Sequence, residues 1–260
     1  MKIRRKLPAP PRSGRPAYLI GYTSTPPTLP DVQACFDLDY GGPLTLRQVN
    51  RASVPGEVPL GPVVATHGPW SATVQLSLSP DASNIWKDSL GWGHTLCGQV
   101  SPASLGPRDA SNQVLHVARL ARVLTLLTEG TAYDTITQTY LNPSDWKDRP
   151  LDRFTVRDHV TIEQADGPDP EREWFSTRGL VKFGLDEVET YRPVGLPSRP
   201  TIEVLLDLTE QLIRIGHAPK VGSTVIVPVQ DLSVRIIRHR TAAPTGIMVG
   251  FREIAWEPLN

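Results

Sequence analysis

Only two cysteines, Cys35 and Cys97, and two methionines occur in 260 residues. So few thiols exclude a disulfide framework of the kind that holds small secreted domains together. A single bridge is not required either, and free thiols in a reducing cytosol are the expectation. No run of about 18 or more consecutive apolar residues exists, so no segment reads as a membrane-spanning helix. Charge of one sign is also missing. Lys+Arg and Asp+Glu each number 27, giving a formal net charge of zero. That balance is not the basic excess of a general nucleic-acid binder, nor the acidic one of a DNA mimic. The strong catalytic fingerprints are absent: there is no GxxxxGK[ST], no GxGxxG after a strand, no HExxH, no GxSxG and no paired CxxC. These gaps weigh against the common nucleotide-dependent, metalloprotease and serine-hydrolase classes.

What is abundant is proline, with 26 residues, about twice the usual share. The prolines cut the chain into short elements joined by rigid loops. Arginine outnumbers lysine 21 to 6, the Arg, Pro and Ala richness that GC-rich bacterial genes tend to encode. At 39% hydrophobic, the chain carries enough apolar residues for a sizeable core in one domain or two packed ones.

Residues 1–16 read as a flexible basic tail. Lys2, Arg4, Arg5, Lys6, Arg12 and Arg15 precede the first acid, Asp31, and Pro8, Pro10 and Pro11 stand where a signal peptide needs its apolar stretch. No export by that route is expected, and the location expected is the cytoplasm. Nucleic acid is not an expected partner except through this tail. The remainder, 17–260, reads as one α+β domain with mixed or antiparallel sheets and two main core helices, or as two packed halves of about 17–110 and 111–260.

Tyr18–Tyr22 reads as the first strand. Asp31 is placed to cap a short helix through Val32, Phe36 and Leu38 that stops at Gly41-Gly42. Ala72–Leu78 alternates as a half-buried strand, and Val63-Val64 as a shorter one. From Val114 to Leu127 apolar residues cover most of a helical circumference, which predicts a central, buried helix. Phe154, Val156, Val160 and Ile162 fall on even positions, so 153–164 reads as a strand. A turn at 166–170 then leads into a partner strand at Glu173–Thr177. A second helix is predicted over 201–215, stopped by Gly216. Three strand-like runs come after it, at 223–229, 233–239 and 246–254. A strand, loop and helix order recurs at 72–127 and 154–215, which raises the prospect of two similar half-domains.

The residues that bear on chemistry are few. His94 and Cys97 sit three apart in a glycine-rich loop and are the best metal-like fragment, with Cys35, His67 and His116 as further ligand candidates at no diagnostic spacing. A Cys97 and His94 nucleophile pair would need an orienting acid, and Asp88 and Asp109 are near in sequence. A loop with one buried thiol and one polar histidine is the plainer reading. The cluster Asp186, Glu187 and Glu189 is of the kind that binds a hard cation or does acid–base work, but it reads better as a solvated acidic face. Arg235, Arg238 and Arg240 lie in a stretch with no acid between Asp231 and Glu253. On a strand, Arg238 and Arg240 project to one face and His239 to the other. They are candidate binding residues for phosphate or an acidic partner, or, more simply, charges guarding an edge strand.

The segment Trp174–Glu189, with Trp174, Thr177, Gly179, Leu180, Phe183, Gly184, Leu185 and Glu189 in register, resembles the W-x-x-T-x-G-L-x-x-F-G-L-x-x-x-E pattern of bacterial proteins whose domains have no assigned function. The helix at 201–215 and Gly222–Ile226 are the counterparts of elements that come after the pattern there, so the resemblance spans about residues 110–230. It implies a non-catalytic α+β module, some of whose kind behave as immunity or partner-binding proteins, and it brings no catalytic residue and no cofactor. The expected function is therefore protein binding, with an enzyme or metal protein using His94 and Cys97 as the alternative.

Overall fold

The computed structural model describes residues 18–48, 61–76, 96–102, 110–243 and 248–258. The chain is α+β and divides into two compact units, 1–154 and 155–260.

The first unit is built on a seven-stranded antiparallel sheet in the order β2-β3-β4-β5-β1-β6-β7. Its strands are β1 (Tyr18–Tyr22), β2 (Thr45–Gln48), β3 (Val63–His67), β4 (Trp70–Gln75), β5 (Leu96–Pro102), β6 (Thr131–Asp134) and β7 (Thr139–Leu141). Tyr18, Ile20 and Tyr22 of β1 lie on one face by the two-residue period of a strand, and all three are buried. Helix α1 (Leu29–Tyr40) begins at Thr28 rather than at Asp31. Thr28 is the cap, and Asp31 is its partner three residues on, the two side chains closing a capping box. Helix α2 (Ala110–Thr128) packs against β1, β4 and β5. It buries residues around most of its circumference, including Val114, Val117, Ala118, Leu120, Ala121 and Leu124, as its pattern predicts.

Thr131–Tyr140 forms two short strands, with a turn held by the Asp134 carboxylate accepting from the Ile136 and Thr137 amides. The unit does not end near residue 110, because α2 is pinned to the chain beyond its own C-terminus. Arg119 Nε donates to the Leu151 carbonyl at 2.9 Å, and Arg122 Nε to that of Trp146 at 3.2 Å. Trp146, on helix α3 (Pro143–Lys147), is itself buried.

The second unit begins with helix α4 (Val156–His159), one turn long, where a strand is predicted. Val156 and Val160 are four apart and both buried. That spacing suits a helical turn as well as an alternating strand, and the Thr155 hydroxyl's hydrogen bond to Asp158 favours the turn. Strands β8 (Thr161–Asp166) and β9 (Arg172–Arg178) then form the predicted hairpin. With β10 (Glu187–Pro193), β11 (Thr224–Val227), β12 (Leu232–Ala242) and β13 (Val249–Pro258) they make a six-stranded sheet in the order β11-β12-β13-β10-β9-β8. Only β10 and β13 run parallel.

Helix α5 (Ser198–Ile215) covers one face of this sheet. Its apolar stripe, Val204, Leu205, Leu208 and Leu212, is buried, and so are Phe175, Val188, Val225, Val227, Val234 and Ile254, which share that face by the register. Arg192 fixes the β10 to α5 connection. Its guanidinium lies 4.5 Å over the Phe175 ring and donates to Thr201 and to the Leu196 and Pro197 carbonyls. Helix α4 packs against α5, so the helices of this unit gather on one side. Among the described residues no helix is long and apolar enough to cross a membrane.

Candidate functional site

The second face of the six-stranded sheet, opposite α5, is set by alternation. The registers place Trp174, Ser176 and Arg178 of β9 beside Glu189 and Tyr191 of β10. Phe251, Glu253 and Ala255 of β13 come next, then Arg235, Arg238 and Arg240 of β12, with Ile226 of β11 at the margin. The three arginines singled out in the sequence therefore share one face. His239 points to the other, where it stands 3.6 Å from Asp186. A bulge between Ile236 and Arg238 shifts the alternation by one residue. It allows Arg235, an odd position, to join Arg238 and Arg240 on the same side.

Glu189 is the centre of this face. It is 0% exposed, and a buried carboxylate without partners is strongly disfavoured. Here it accepts from Trp174 Nε1 at 2.9 Å and from Arg240 through both Nε (2.6 Å) and Nη2. The two-pronged geometry is the strong form of an arginine–carboxylate pair. Pairing with Glu189 pushes the Arg240 guanidinium above its usual range, and the same guanidinium lies 4.5 Å over the Phe251 ring. Burial, reinforced by the neighbouring Glu189 charge, pushes the Tyr191 phenol up. Around this centre the charges alternate, with Arg238 Nε 2.8 Å from Glu253 and Arg178 Nη2 3.0 Å from Glu163. Arg235 makes no ion pair among the described residues and is exposed. Ile226 is 47% exposed.

The acidic cluster is not a solvated face. Glu187 and Glu189 are buried, and Asp186 is half-buried, accepting from Arg252 Nε at 2.7 Å. Glu187 is held in a cradle of donors: Thr177 Oγ1 at 2.7 Å, Gly179 N at 2.8 Å, Leu180 N at 3.2 Å and Val181 N at 3.4 Å. Burial pushes its carboxyl up, and these donors pull back against that. The cradle depends on Gly179, whose φ is 132°. A Cβ there would stand 2.5 Å from the His159 carbonyl oxygen. Gly179→Ala is expected to cost the second unit about 2 kcal/mol or more, combining backbone strain with a backbone clash, read as a lowered urea midpoint with an unchanged slope. Trp174, Thr177, Gly179 and Glu189, four positions of the sequence pattern, are thus joined by two carboxylates, Glu187 and Glu189. The pairing of these donors with the two carboxylates, and the place of Tyr191 beside them, escape a reading of the sequence, because the alternation that brings them together shows only once the strand partners are known.

The other predicted residues are not assembled into a site. His94, Asp88 and Asp109 lie outside the described residues, as do the tail at 1–16 and most of the glycine-rich loop; Cys97 is described only as a β5 backbone position opposite Gly21. Of the further ligand candidates, His67 and His116 do come together, with ring centroids 6.4 Å apart. Cys35 is a free thiol whose pKa is raised by burial. Among the described residues no group of three or more His, Cys, Asp or Glu is placed to hold a metal ion. No protein-family model matches the chain, and neither a curated protein nor a solved structure does.

Proposed function

We propose that the chain is a non-catalytic protein-binding module, an accessory protein of immunity type, and that it holds its partner on the helix-free face of the second unit's sheet. The observation that carries this reading is the makeup of that face. Trp174, Tyr191 and the arginines at 235, 238 and 240 stand together on a sheet surface with no helix of the unit over it among the described residues. Tryptophan, tyrosine and arginine are the residue types that dominate the energetics of protein interfaces. The buried Glu189 network holds Trp174 and Arg240 in fixed orientations, which reduces the ordering cost of binding. The resemblance of 174–189 to bacterial modules without catalytic residues supports the same reading.

The test is affinity purification of the tagged chain from its own host, with the captured proteins identified by mass spectrometry. The Ile226→Asp/Ala255→Arg double variant alters two exposed positions of the face, and Arg214→Ala serves as a control on the solvent side of α5. One stoichiometric partner is expected with the wild type and the control. The face variant should lose it by tenfold or more, about the effect of one or two interface anchors, while keeping its melting temperature. Retention of the same partner by the face variant would contradict the proposal, and so would a chain that captures nothing.

A further inference from the structure

Strand β12 outruns its neighbour. It spans Leu232–Ala242, yet β11 pairs only with Leu232–Arg235. Ile236 completes the pairing through its amide to the Ser223 carbonyl and its carbonyl to the Gly222 amide. From Ile237 to Ala242, β13 lies on one side, and among the described residues no strand lies on the other. Alternate residues of this six-residue stretch thus present their backbone hydrogen-bonding groups along an open edge, a ready template for another strand.

Charge decides which strand fits. The stretch contains no acid, and its side chains include Arg238, His239 and Arg240, with Arg235 just before it. Arg238 is 58% exposed and meets Glu253 through Nε, so most of its side chain is open to solvent. Two copies of this edge paired with each other would set arginine against arginine, which cross-strand pairing disfavours. The same charges that refuse a second copy admit an acidic strand. The far edge, β8, carries Glu163 and Asp166 and repels one. We propose that β12 takes an extended acidic segment of the partner by strand addition, pairing with 237–242 and reaching Arg235 and Arg238 with its carboxylates. This rests on the protein-binding function proposed for the sheet face and names the chemistry of the partner's contact.

The probe is an acetylated and amidated six-residue Glu-Thr repeat, added to the full chain and tracked by amide hydrogen exchange. Slowed exchange over 237–242 is expected, weakening as salt rises. The Arg235→Glu variant, which breaks no ion pair, should bind about tenfold more weakly. The same peptide N-methylated at every amide keeps its charge but cannot form the ladder, and it should leave 237–242 unchanged. Equal protection by the methylated peptide, protection elsewhere only, or none would overturn the proposal, as would slowed exchange at 237–242 that depends on protein concentration without peptide. The two readings fail separately. Capture that is lost on Ile226→Asp/Ala255→Arg, with no peptide effect at 237–242, leaves the binding face standing and removes the strand addition. Peptide protection without any captured partner does the reverse.

Discussion

Arg240→Ala is expected to destabilise the second unit by about 2–3 kcal/mol, toward the low end of the cost of stranding a buried charge, because Glu189 is buried while the Arg240 side chain is 35% exposed. The reason is Glu189. It has no exposure, and Arg240 supplies two of its three hydrogen bonds, leaving only Trp174 Nε1 once the guanidinium is gone. Replacing both partners by apolar residues of similar reach, Glu189→Met with Arg240→Met, should recover most of that loss, since no charge is then left unpaired. Arg238→Ala, two residues away, is the contrast. Arg238 is largely exposed in its pair with Glu253, and its loss should cost about 1 kcal/mol or less. Urea unfolding of the wild type and these three variants checks this. A small cost for Arg240→Ala would show that Glu189 does not depend on the guanidinium.

Acid is expected to unfold the first unit through His116. This histidine is 2% exposed, with Nε2 3.2 Å from the Ala65 carbonyl oxygen and Nδ1 without a hydrogen-bond partner. Its ring meets the edge of Phe36 and stacks with His67. Burial lowers its pKa from 6.5 to about 4, with the nearby His67 and Arg119 acting in the same direction. A depressed folded-state pKa means that the unfolded chain binds the proton first. Its contribution is therefore full above about pH 6.5 and is lost as pH falls toward 4, in all about 3 kcal/mol. His116→Phe keeps a planar ring in the same apolar setting and removes the titration. Amide exchange of α2 at pH 7 and at pH 4.5 reads the first unit alone. The wild type should lose on the order of 2 kcal/mol more than the variant over that interval, and equal losses would rule the histidine out as the cause.

The elements legible in the sequence are those with long, regular patterns. The apolar run at 114–127 and the stripe at 201–215 are helices, and the 166–170 turn marks a real hairpin. The common face of Arg238 and Arg240 is expected from strand alternation and is found. The burial of Glu187 and Glu189 is a different matter. Their local sequence is polar, and the groups that bury them come from elsewhere: Trp174 from β9, Arg240 from β12, and the amides of 179–181. A carboxylate in a donor cradle and one on a solvated surface look alike until the strand order is known. The unit boundary is hidden for the same reason, since Arg119 and Arg122 tie α2 to carbonyls 32 and 24 residues further on.

The most direct examination of the binding face is amide exchange of the chain in complex with the partner captured from its host, compared with the chain alone. Slowed exchange confined to β9, β10, β12 and β13, with the exposed side of α5 unchanged, is the outcome the helix-free face requires. Protection centred on α5, or on the first unit, would place the partner elsewhere and contradict it.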